Sequence, residues 1–230
     1  MKLHRFYVGN KVLEHTFWID DEALFHQWIR VLRFDLNREL VLFNDTTETR
    51  LYRITKIGTN AVQLTLVTEL EPQVPDKNMY LCFSILKKDK TDWVLQKATE
   101  LGVRHFTPLL ADRTEKTGWN KERAEKIVIE AAEQCGRSDV PRLRDPITPE
   151  KLIVELNGSV PVVVAEQGDH QTYSNLDNVA ILIGPEGGWS DAEKELFESK
   201  NLPHYSISPF TLRAETACVA AATLLLSPDD

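Results

Sequence analysis

The stretch from residue 181 to residue 193 constrains the fold of this chain more than any other. Residues 179–183 form a continuous apolar run bounded by turn-forming residues, which is typical of a buried strand in a parallel sheet. Ser190 followed three residues later by Glu193 is a capping-box pattern, and it predicts that a helix begins at this point. That helix is expected to turn three apolar side chains inward, namely Ala192, Leu196 and Phe197.

The glycine-rich loop between this strand and this helix, residues 184–188, is a candidate ligand site. In an open α/β sheet, ligands bind beyond the carboxyl ends of the strands, where unpaired backbone N–H groups point outward. The glycines have an alternative interpretation, because tight connections use glycine for left-handed backbone without any ligand. A second strand end, loop and helix start at residues 207–217 favours the ligand site, since two such loops on neighbouring strands would form one cleft.

At these two loops the chain resembles a known family of enzymes. The first loop carries Gly-Pro-Glu-Gly-Gly-x-Ser, and the second carries Leu-Arg-x-Glu-Thr-Ala before an alanine-rich last helix. Three further segments match the same family pattern in order: residues 96–103, Pro108-Leu109 with Arg113, and residues 130–137 with Val140-Pro141. Together these motifs resemble the RsmE-type methyltransferases, which modify N3 of a uridine in the 16S ribosomal RNA of the small subunit. The resemblance covers nearly the whole chain.

The resemblance implies a fold, a cofactor and an assembly. RsmE-type enzymes belong to the SPOUT superfamily, whose α/β domain has a parallel sheet and a C-terminal trefoil knot. In the family this domain follows a small PUA-like β-barrel that binds RNA. The resemblance therefore implies S-adenosyl-L-methionine as the cofactor, small-subunit ribosomal RNA as the substrate and a homodimer as the assembly.

The resemblance also implies which residues bind the cofactor. They lie in the two loops and at the ends of the strands before them: Ile183, Gly184, Pro185, Glu186, Gly187, Gly188, Ile207, Ser208, Phe210 and Leu212. Ile183, Ile207 and Leu212 are expected to enclose the adenine. Two of these loop positions depart from the family's usual sequence, which has glycine where this chain has Ser208 and arginine where it has Phe210.

Methylation at uridine N3 needs a further group, because N3 is a weak acid that must lose its proton. A base is expected, or a cation that stabilises the deprotonated nucleobase. Arg213 is the first candidate for the cation, since it lies beside the cofactor loop at the start of the last helix. Glu215 and Glu186 are candidates for a base or an orienting carboxylate, although each could instead favour a helix N-terminus electrostatically. Four arginines are candidate contacts to the RNA substrate: Arg30, Arg33, Arg113 and Arg137.

The net charge of −8 argues against a protein that holds naked nucleic acid by bulk electrostatic attraction. Local basic patches are still possible, in the arginine-rich residues 30–56 and at Lys87, Lys88 and Lys90 near the mouth of the predicted sheet. Scattered basic residues are also the usual composition of a solvated face. The acidic balance favours the hypothesis that recognition depends on a shaped, assembled ribosomal particle.

The remaining composition limits the class of protein. The three cysteines, Cys82, Cys135 and Cys218, are far apart among apolar neighbours, which indicates small buried side chains and neither a disulfide framework nor a metal site. No apolar run reaches membrane-spanning length, and the first residues lack the apolar stretch of a signal peptide. These features predict a soluble cytoplasmic protein without a membrane partner.

Patterning along the chain predicts two domains, residues 1–72 and 73–230. Up to residue 70, short β-rich segments alternate apolar and polar positions, which predicts half-buried antiparallel strands in a small barrel. One helix opened by Asp21 interrupts them, and residues 71–76 form a polar, proline-bearing linker. Beyond the linker, five apolar segments alternate with helical patterns, which predicts a parallel sheet covered on both faces. Thr91 is the expected cap of one of these helices, with Trp93, Val94, Ala98 and Leu101 on its inner side.

Two other functions fit parts of the pattern. A SPOUT enzyme that methylates a ribose hydroxyl of transfer RNA would share the cleft, but the preceding barrel and residues 130–137 favour the ribosomal substrate. An RNA-binding assembly factor whose cleft has lost its chemistry would not need to bind S-adenosylmethionine. A P-loop nucleotide-binding protein is disfavoured, because no Lys-Ser or Lys-Thr follows the glycines.

Overall fold

A computed structural model describes residues 3–115, 118–156, 158–166 and 177–227. The chain divides into two compact units. The first extends to Val74 and includes Ala132–Val140, while the second comprises Pro75–Ala131 and the chain from Pro141 onward. Nothing in the sequence pattern indicates that Ala132–Val140 joins the first unit, because it continues a helical pattern that begins in the second. The exact boundary between residues 72 and 73 stays a prediction.

The first unit contains a five-stranded sheet in the order β1-β3-β4-β5-β2. Its strands are β1 (His4–Tyr7), β2 (Thr16–Ile19), β3 (Glu39–Phe43), β4 (Thr49–Ile57) and β5 (Val62–Leu70). The pairings of β3 with β4, β4 with β5 and β5 with β2 are antiparallel, as predicted. The pairing of β1 with β3 is parallel, which the pattern could not indicate, because alternation reports the buried face and not the direction of the neighbouring strand.

One helix packs into the core of this unit. Asp21 caps α1 (Glu22–Phe25) by accepting a hydrogen bond from the backbone N–H of Leu24 at 2.9 Å, as the sequence predicts. The chain then continues as a π-helical segment, His26–Val31, which places the fully buried Trp28 against Phe6 with ring centroids 5.1 Å apart.

The segment Ala132–Val140 is fastened to the first unit by hydrogen bonds. The hydroxyl of the buried Ser138 accepts one from the Arg5 guanidinium and one from the Gln73 backbone N–H, each at 3.0 Å. The backbone N–H of Ser138 donates to the Gln73 carbonyl at 2.7 Å, and the Glu133 carboxylate accepts from the Tyr7 N–H at 2.9 Å. Polar pairing therefore accounts for a contact that hydrophobic periodicity does not reveal.

The second unit is built on six parallel strands in the order β11-β9-β10-β6-β7-β8. They are β6 (Asn78–Ser84), β7 (His105–Leu109), β8 (Arg142–Leu143), β9 (Val162–Ala165), β10 (Asn178–Ile183) and β11 (His204–Tyr205). The predicted parallel sheet is confirmed, and β10 lies between β9 and β6 with residues 179–183 buried. The short edge strand β8 was not predicted, because two residues are too few to show a periodic pattern of apolar positions.

Within the described ranges, five helices accompany this sheet: α2 (Lys88–Leu101), α3 (Lys121–Cys135), α4 (Pro149–Leu156), α5 (Asp191–Ser199) and α6 (Ala214–Leu226). Side chains of α4 and α5, such as Leu152 and Phe197, share one core cluster with Val164 and Leu182 of the sheet. The helices α2 and α6 contact each other, and α6 contacts β6 and β10. No helix in the described part of the chain is long and apolar enough to cross a membrane.

Three predicted details of these helices are wrong. Thr91 does not cap α2, which begins at Lys88; its hydroxyl instead donates to the Leu86 carbonyl at 3.2 Å. Trp93 and Leu101 are exposed, because the buried stripe of α2 runs through Thr91, Val94, Leu95, Ala98 and Thr99. Ala192 is exposed because α5 turns the carboxylate of Glu193 inward on its first turn.

The cysteines differ from the expectation at one position. Cys82 and Cys218 are fully buried, whereas Cys135 is exposed near the end of α3. Burial raises the pKa of the Cys82 thiol to about 12, and it also raises the pKa of Cys218. The thiolate is the nucleophilic form of cysteine, so the two buried thiols are protected both by packing and by protonation.

We therefore expect a thiol-specific disulfide reagent at pH 8 to label one cysteine per native chain and all three after unfolding in guanidinium chloride. Cys135→Ser should abolish native labelling, and Cys82→Ser should leave it unchanged. Rapid labelling of two or three native thiols would contradict the described burial.

Candidate functional site

The glycine loop after β10 is shaped by a close contact with an indole ring. A Cβ atom added at Gly184 would lie 3.0 Å from Cε2 of Trp189, so this position has no room for a side chain unless the ring moves. Trp189 is itself buried and meets Phe197 of α5 edge to face, with centroids 5.0 Å apart. Gly188 has φ +69, in the left-handed region that favours glycine. The loop is thus packed onto the start of α5.

The predicted capping box at the start of α5 is confirmed, and its side chains also bond to another segment of the chain. Ser190 accepts from the Glu193 N–H at 3.2 Å, and the Glu193 carboxylate accepts from the Ser190 N–H at 2.7 Å. The other oxygen of this buried carboxylate accepts from the Asp112 N–H at 3.0 Å, and the Ser190 hydroxyl donates to the Asp112 carboxylate at 2.5 Å. The segment after β7 is thereby joined to the glycine loop.

Arg113 extends this connection. Its guanidinium donates to the carbonyl of Gly187 at 3.1 Å, and a Cβ atom at Gly187 would lie 3.4 Å from the Cβ of Arg113. The sequence placed Arg113 among the candidate RNA contacts. In the structure its side chain lies at the rim of the glycine loop, where it holds a backbone carbonyl and still faces solvent.

The second loop follows β11 and leads into α6. Ser208 stabilises its turn by accepting from the Phe210 N–H at 3.1 Å, and the Phe210 side chain is 76% exposed. Arg213 is the N-cap residue of α6 but makes no side-chain cap; its guanidinium is exposed, and its charge contributes to lowering the pKa of Glu215. The last helix begins as predicted, at Ala214.

The two loops enclose one cavity of about 530 Å³. All ten predicted cofactor-binding residues line it: Ile183, Gly184, Pro185, Glu186, Gly187, Gly188, Ile207, Ser208, Phe210 and Leu212. Arg113 and Arg213 also contribute to the wall. The structure therefore brings together the two loops that the sequence suggested would form a cleft.

Sequence reasoning missed the part of this wall that comes from β9. Ala165 ends β9, and Glu166 follows it into the cavity with Lys194 of α5 beside it. The Glu166 carboxylate lies 2.8 Å from Nδ1 of His204 and 3.8 Å from Nζ of Lys194. The available signal was positional, since parallel neighbours of β10 must end at the same edge of the sheet.

A single lysine connects the first loop to the last helix through one carboxylate of each. Nζ of Lys90, in the first turn of α2, lies 3.2 Å from Oε1 of Glu186 and 3.2 Å from Oε2 of Glu215. Hydrogen bonds to these two carboxylates raise the pKa of Lys90. Partial burial alone would raise the pKa of Glu215, but hydrogen bonds from its own backbone and from Lys90 outweigh that effect and lower it. Glu215 is consequently a carboxylate at neutral pH.

The other predicted RNA contacts lie in the first unit. Arg30 and Arg33 are exposed, and Arg33 has φ 53 in the turn after the π-helical segment. Arg137 is buried, and its Nε and Nη2 atoms donate to the Asp139 carboxylate at 2.9 and 2.8 Å. Its guanidinium is thus already paired within the protein, while those of Arg30 and Arg33 face solvent.

Comparison with known proteins adds independent information about the chain. A family model described as an RNA methyltransferase domain matches residues 73–226. Ribosomal RNA small subunit methyltransferase E of Rickettsia conorii is 31% identical over 229 residues, which are 96% of this chain and 94% of that protein.

Solved structures give the same result. The ribosomal RNA small subunit methyltransferase E of Neisseria gonorrhoeae, solved bound to S-adenosyl methionine, is 25% identical with a TM-score of 0.85, covering 96% of this chain and 95% of that one. A methyltransferase of Legionella pneumophila in complex with the bound cofactor SAM is 26% identical with a TM-score of 0.84, covering 97% and 96% respectively. The α/β architecture described above is thus shared with both.

The capping network generates a stability prediction. Ser190→Ala removes the acceptor for the Glu193 N–H and the donor to Asp112, so we expect a loss of about 1–2 kcal/mol in the free energy of unfolding. Ser199→Ala at the other end of α5, where the hydroxyl donates to the Leu196 carbonyl in an exposed position, is the matched control and should cost less than about 0.5 kcal/mol. Urea denaturation measures both, and equal losses would show that the network contributes nothing beyond an ordinary surface serine.

Proposed function

The chain belongs to the family of RNA methyltransferase domains, and we propose that it transfers a methyl group from S-adenosyl-L-methionine to N3 of a specific uridine in 16S ribosomal RNA. The observation that carries this proposal is the cavity in which the residues expected from the RsmE-type pattern meet. The relative from Rickettsia conorii is named as a small-subunit ribosomal RNA methyltransferase, which supports the choice of substrate. The cytoplasm, where ribosomal subunits are found, is the proposed location.

The cavity fits S-adenosylmethionine in size and in chemistry. Its volume of about 530 Å³ is within the range of roughly 300–1,000 Å³ for sites that hold small ligands. Ile183, Ile207 and Leu212 offer apolar surface for the adenine, and Glu166 offers carboxylate oxygens to the ribose hydroxyls. Gly184 packs closely against Trp189 and has no side chain. The loop backbone at this position is therefore free of side-chain atoms that would separate it from the ligand.

Methyl transfer requires alignment more than covalent help from the protein. When bound, S-adenosylmethionine would supply an electrophilic methyl group on a sulfonium sulfur, from which a neutral thioether leaves readily. The protein must hold the acceptor nitrogen in line with that methyl group and stabilise the negative charge that develops on the uracil ring. Arg213 suits the second task, because its exposed guanidinium lies in the wall of the cavity at the start of α6.

Glu215 and Glu186 have a clearer role in positioning than in proton abstraction. The pKa of Glu215 is lowered, so this carboxylate is a weak base, and both carboxylates already share Lys90. We propose that the Lys90 bridge fixes the glycine loop relative to α6 and so sets the position of Arg213. Glu215 remains the candidate to accept the N3 proton if Lys90 moves away when RNA binds.

The finer features of the fold belong to the same proposal. We propose that the five-stranded sheet of the first unit is a PUA-like barrel that contributes Arg30 and Arg33 to RNA binding. We further propose that the chain around β10, β11 and α6 forms a trefoil knot and that the protein acts as a homodimer. The exposed Phe210 and Leu224, at 76% and 50%, are apolar surface that a second copy of the chain could cover.

The decisive experiment uses the purified protein, labelled S-adenosylmethionine and small ribosomal subunits that lack the modification. Digestion of the product RNA and mass spectrometry identify the nucleoside. We expect N3-methyluridine at one site in 16S RNA. A ribose-methylated nucleoside would move the protein to another SPOUT activity, and cofactor binding without any methylated product would favour an assembly role.

Arg213→Ala tests the proposed stabilising cation. We expect kcat to fall about 100-fold to 1,000-fold, the usual cost of removing one group that stabilises developing charge, with cofactor affinity nearly unchanged. Arg213→Lys should recover part of the rate, because it keeps the charge without the guanidinium geometry. Arg142→Ala, which removes an exposed arginine of β8 outside the cavity, is the control and should retain full activity. A normal kcat for Arg213→Ala would exclude the role.

A further inference from the structure

A second cavity of the same unit lies between the start of α2 and the start of α3. Its volume is about 500 Å³, also within the range of roughly 300–1,000 Å³ for sites that hold small ligands. Polar and aromatic groups line it, including Lys87, Lys88, Trp119 and Arg123, over a floor that includes the buried Leu95. None of these residues belongs to the methyl-transfer cavity.

The charge of this second cavity is opposite to that of the chain. Lys87 and Lys88 are exposed, and within the described ranges neither has an ion-pair or hydrogen-bond partner for its ammonium group. Arg123 is paired with Asp92, its Nη2 lying 2.5 Å from Oδ2 and its Nε 3.1 Å from Oδ1. The wall therefore carries three cations and one carboxylate in a protein whose net charge is −8.

The start of α2 adds to the attraction for anions. Lys87 is the N-cap residue of this fourteen-residue helix and provides no side-chain acceptor for the N–H groups of the first turn. Those N–H groups and the helix dipole favour a negative group at the same place where the two lysines lie. A phosphate is the group that these features suit together.

Trp119 supplies the surface that a nucleobase needs. The side chain is half-buried, and its Nε1–H is buried without a hydrogen-bond partner among the described residues. Indole rings bind unpaired nucleobases by stacking, and single-stranded RNA is recognised by such rings combined with cationic groups that follow the backbone.

A small connecting cavity of about 210 Å³ relates this second cavity to the site of methyl transfer. It is lined by Ile85, Lys87, Glu115 and Glu186. Glu186 is shared with the methyl-transfer cavity and Lys87 with the second cavity. The residues around this small cavity therefore border both larger cavities, which suits an RNA strand that spans them. The two carboxylates of the connection repel phosphate, so the base or sugar edge would face them.

We propose that the second cavity binds the nucleotide adjacent to the methylated uridine, with its base against Trp119 and its two flanking phosphates on Lys87 and Lys88. The inference rests on the proposed function, which supplies RNA as the ligand of the neighbouring cavity. The second cavity would then select the nucleotide that is accepted beside the methylated uridine, and this selection would take place in the catalytic unit.

The experiment measures steady-state methylation of unmodified small subunits and binding of their RNA as a function of salt. For the double variant Lys87→Ala, Lys88→Ala we expect KM for RNA to rise roughly 10-fold and the slope of log affinity against log salt to decrease by about 1.4, since each single-strand phosphate contact contributes about 0.7. Cofactor affinity and kcat should stay near wild type. Trp119→Ala should weaken RNA binding about 5-fold to 150-fold, while Trp119→Phe keeps a stacking ring and should lose much less.

The control removes the same charge elsewhere. Lys126→Ala with Lys151→Ala takes away two exposed lysines of the same unit that line neither cavity, and it should leave KM and the salt slope nearly unchanged. Wild-type KM, salt slope and RNA affinity in the Lys87, Lys88 variant would overturn the subsite while leaving the methyltransferase function intact. If wild type gave no methylated RNA, the proposed function would fail. The subsite would then stand only if RNA binding still depended on Lys87, Lys88 and Trp119.

Discussion

The buried carboxylate of Glu193 is the interaction on which the geometry of the site depends. A carboxylate at 6% exposure is costly unless its oxygens accept hydrogen bonds, and here the N–H groups of Ser190 and Asp112 both donate to it. One accepted bond fixes the start of α5, and the other fixes the segment after β7. Between them they hold Arg113 against the Gly187 carbonyl, so the glycine loop is attached at both of its sides. A mobile loop of this length could not present a defined surface to a ligand.

Lys90 also joins separate segments of the chain, by pairing with two carboxylates. Its ammonium group lies between Glu186 of the first loop and Glu215 of the last helix, and it is only about a quarter exposed. Exposed ion pairs contribute little to stability, so the bridge is better understood as a positional device than as a source of stability. It joins three elements, α2, the glycine loop and α6, that are far apart in the sequence.

Sequence reasoning was most successful where local chemistry determined the structure. The Ser190–Glu193 capping box, the Asp21 cap, the buried β10 and the start of α6 depend on short-range patterns, and all four are confirmed. Resemblance located ten of the residues that line the cavity, and family membership is confirmed. What was missed depends on tertiary contact: Glu166 enters the cavity only because β9 lies beside β10, and Ala132–Val140 joins the first unit through hydrogen bonds to Gln73 and Arg5. Neither contact produces a periodic pattern of apolar residues in the sequence.

The distribution of charge explains how an acidic protein can act on RNA. Many basic side chains are neutralised in place: Arg50 pairs with Glu69, Arg53 with Glu39, Arg123 with Asp92 and Arg137 with Asp139. The exposed cations Arg213, Lys87 and Lys88 instead line cavities at or beside the carboxyl edge of the parallel sheet. Since exposed charges more than about 10 Å apart are largely screened at physiological ionic strength, local placement matters more for a bound nucleotide than the net charge does. The excess of carboxylates elsewhere then disfavours non-specific binding to nucleic acid.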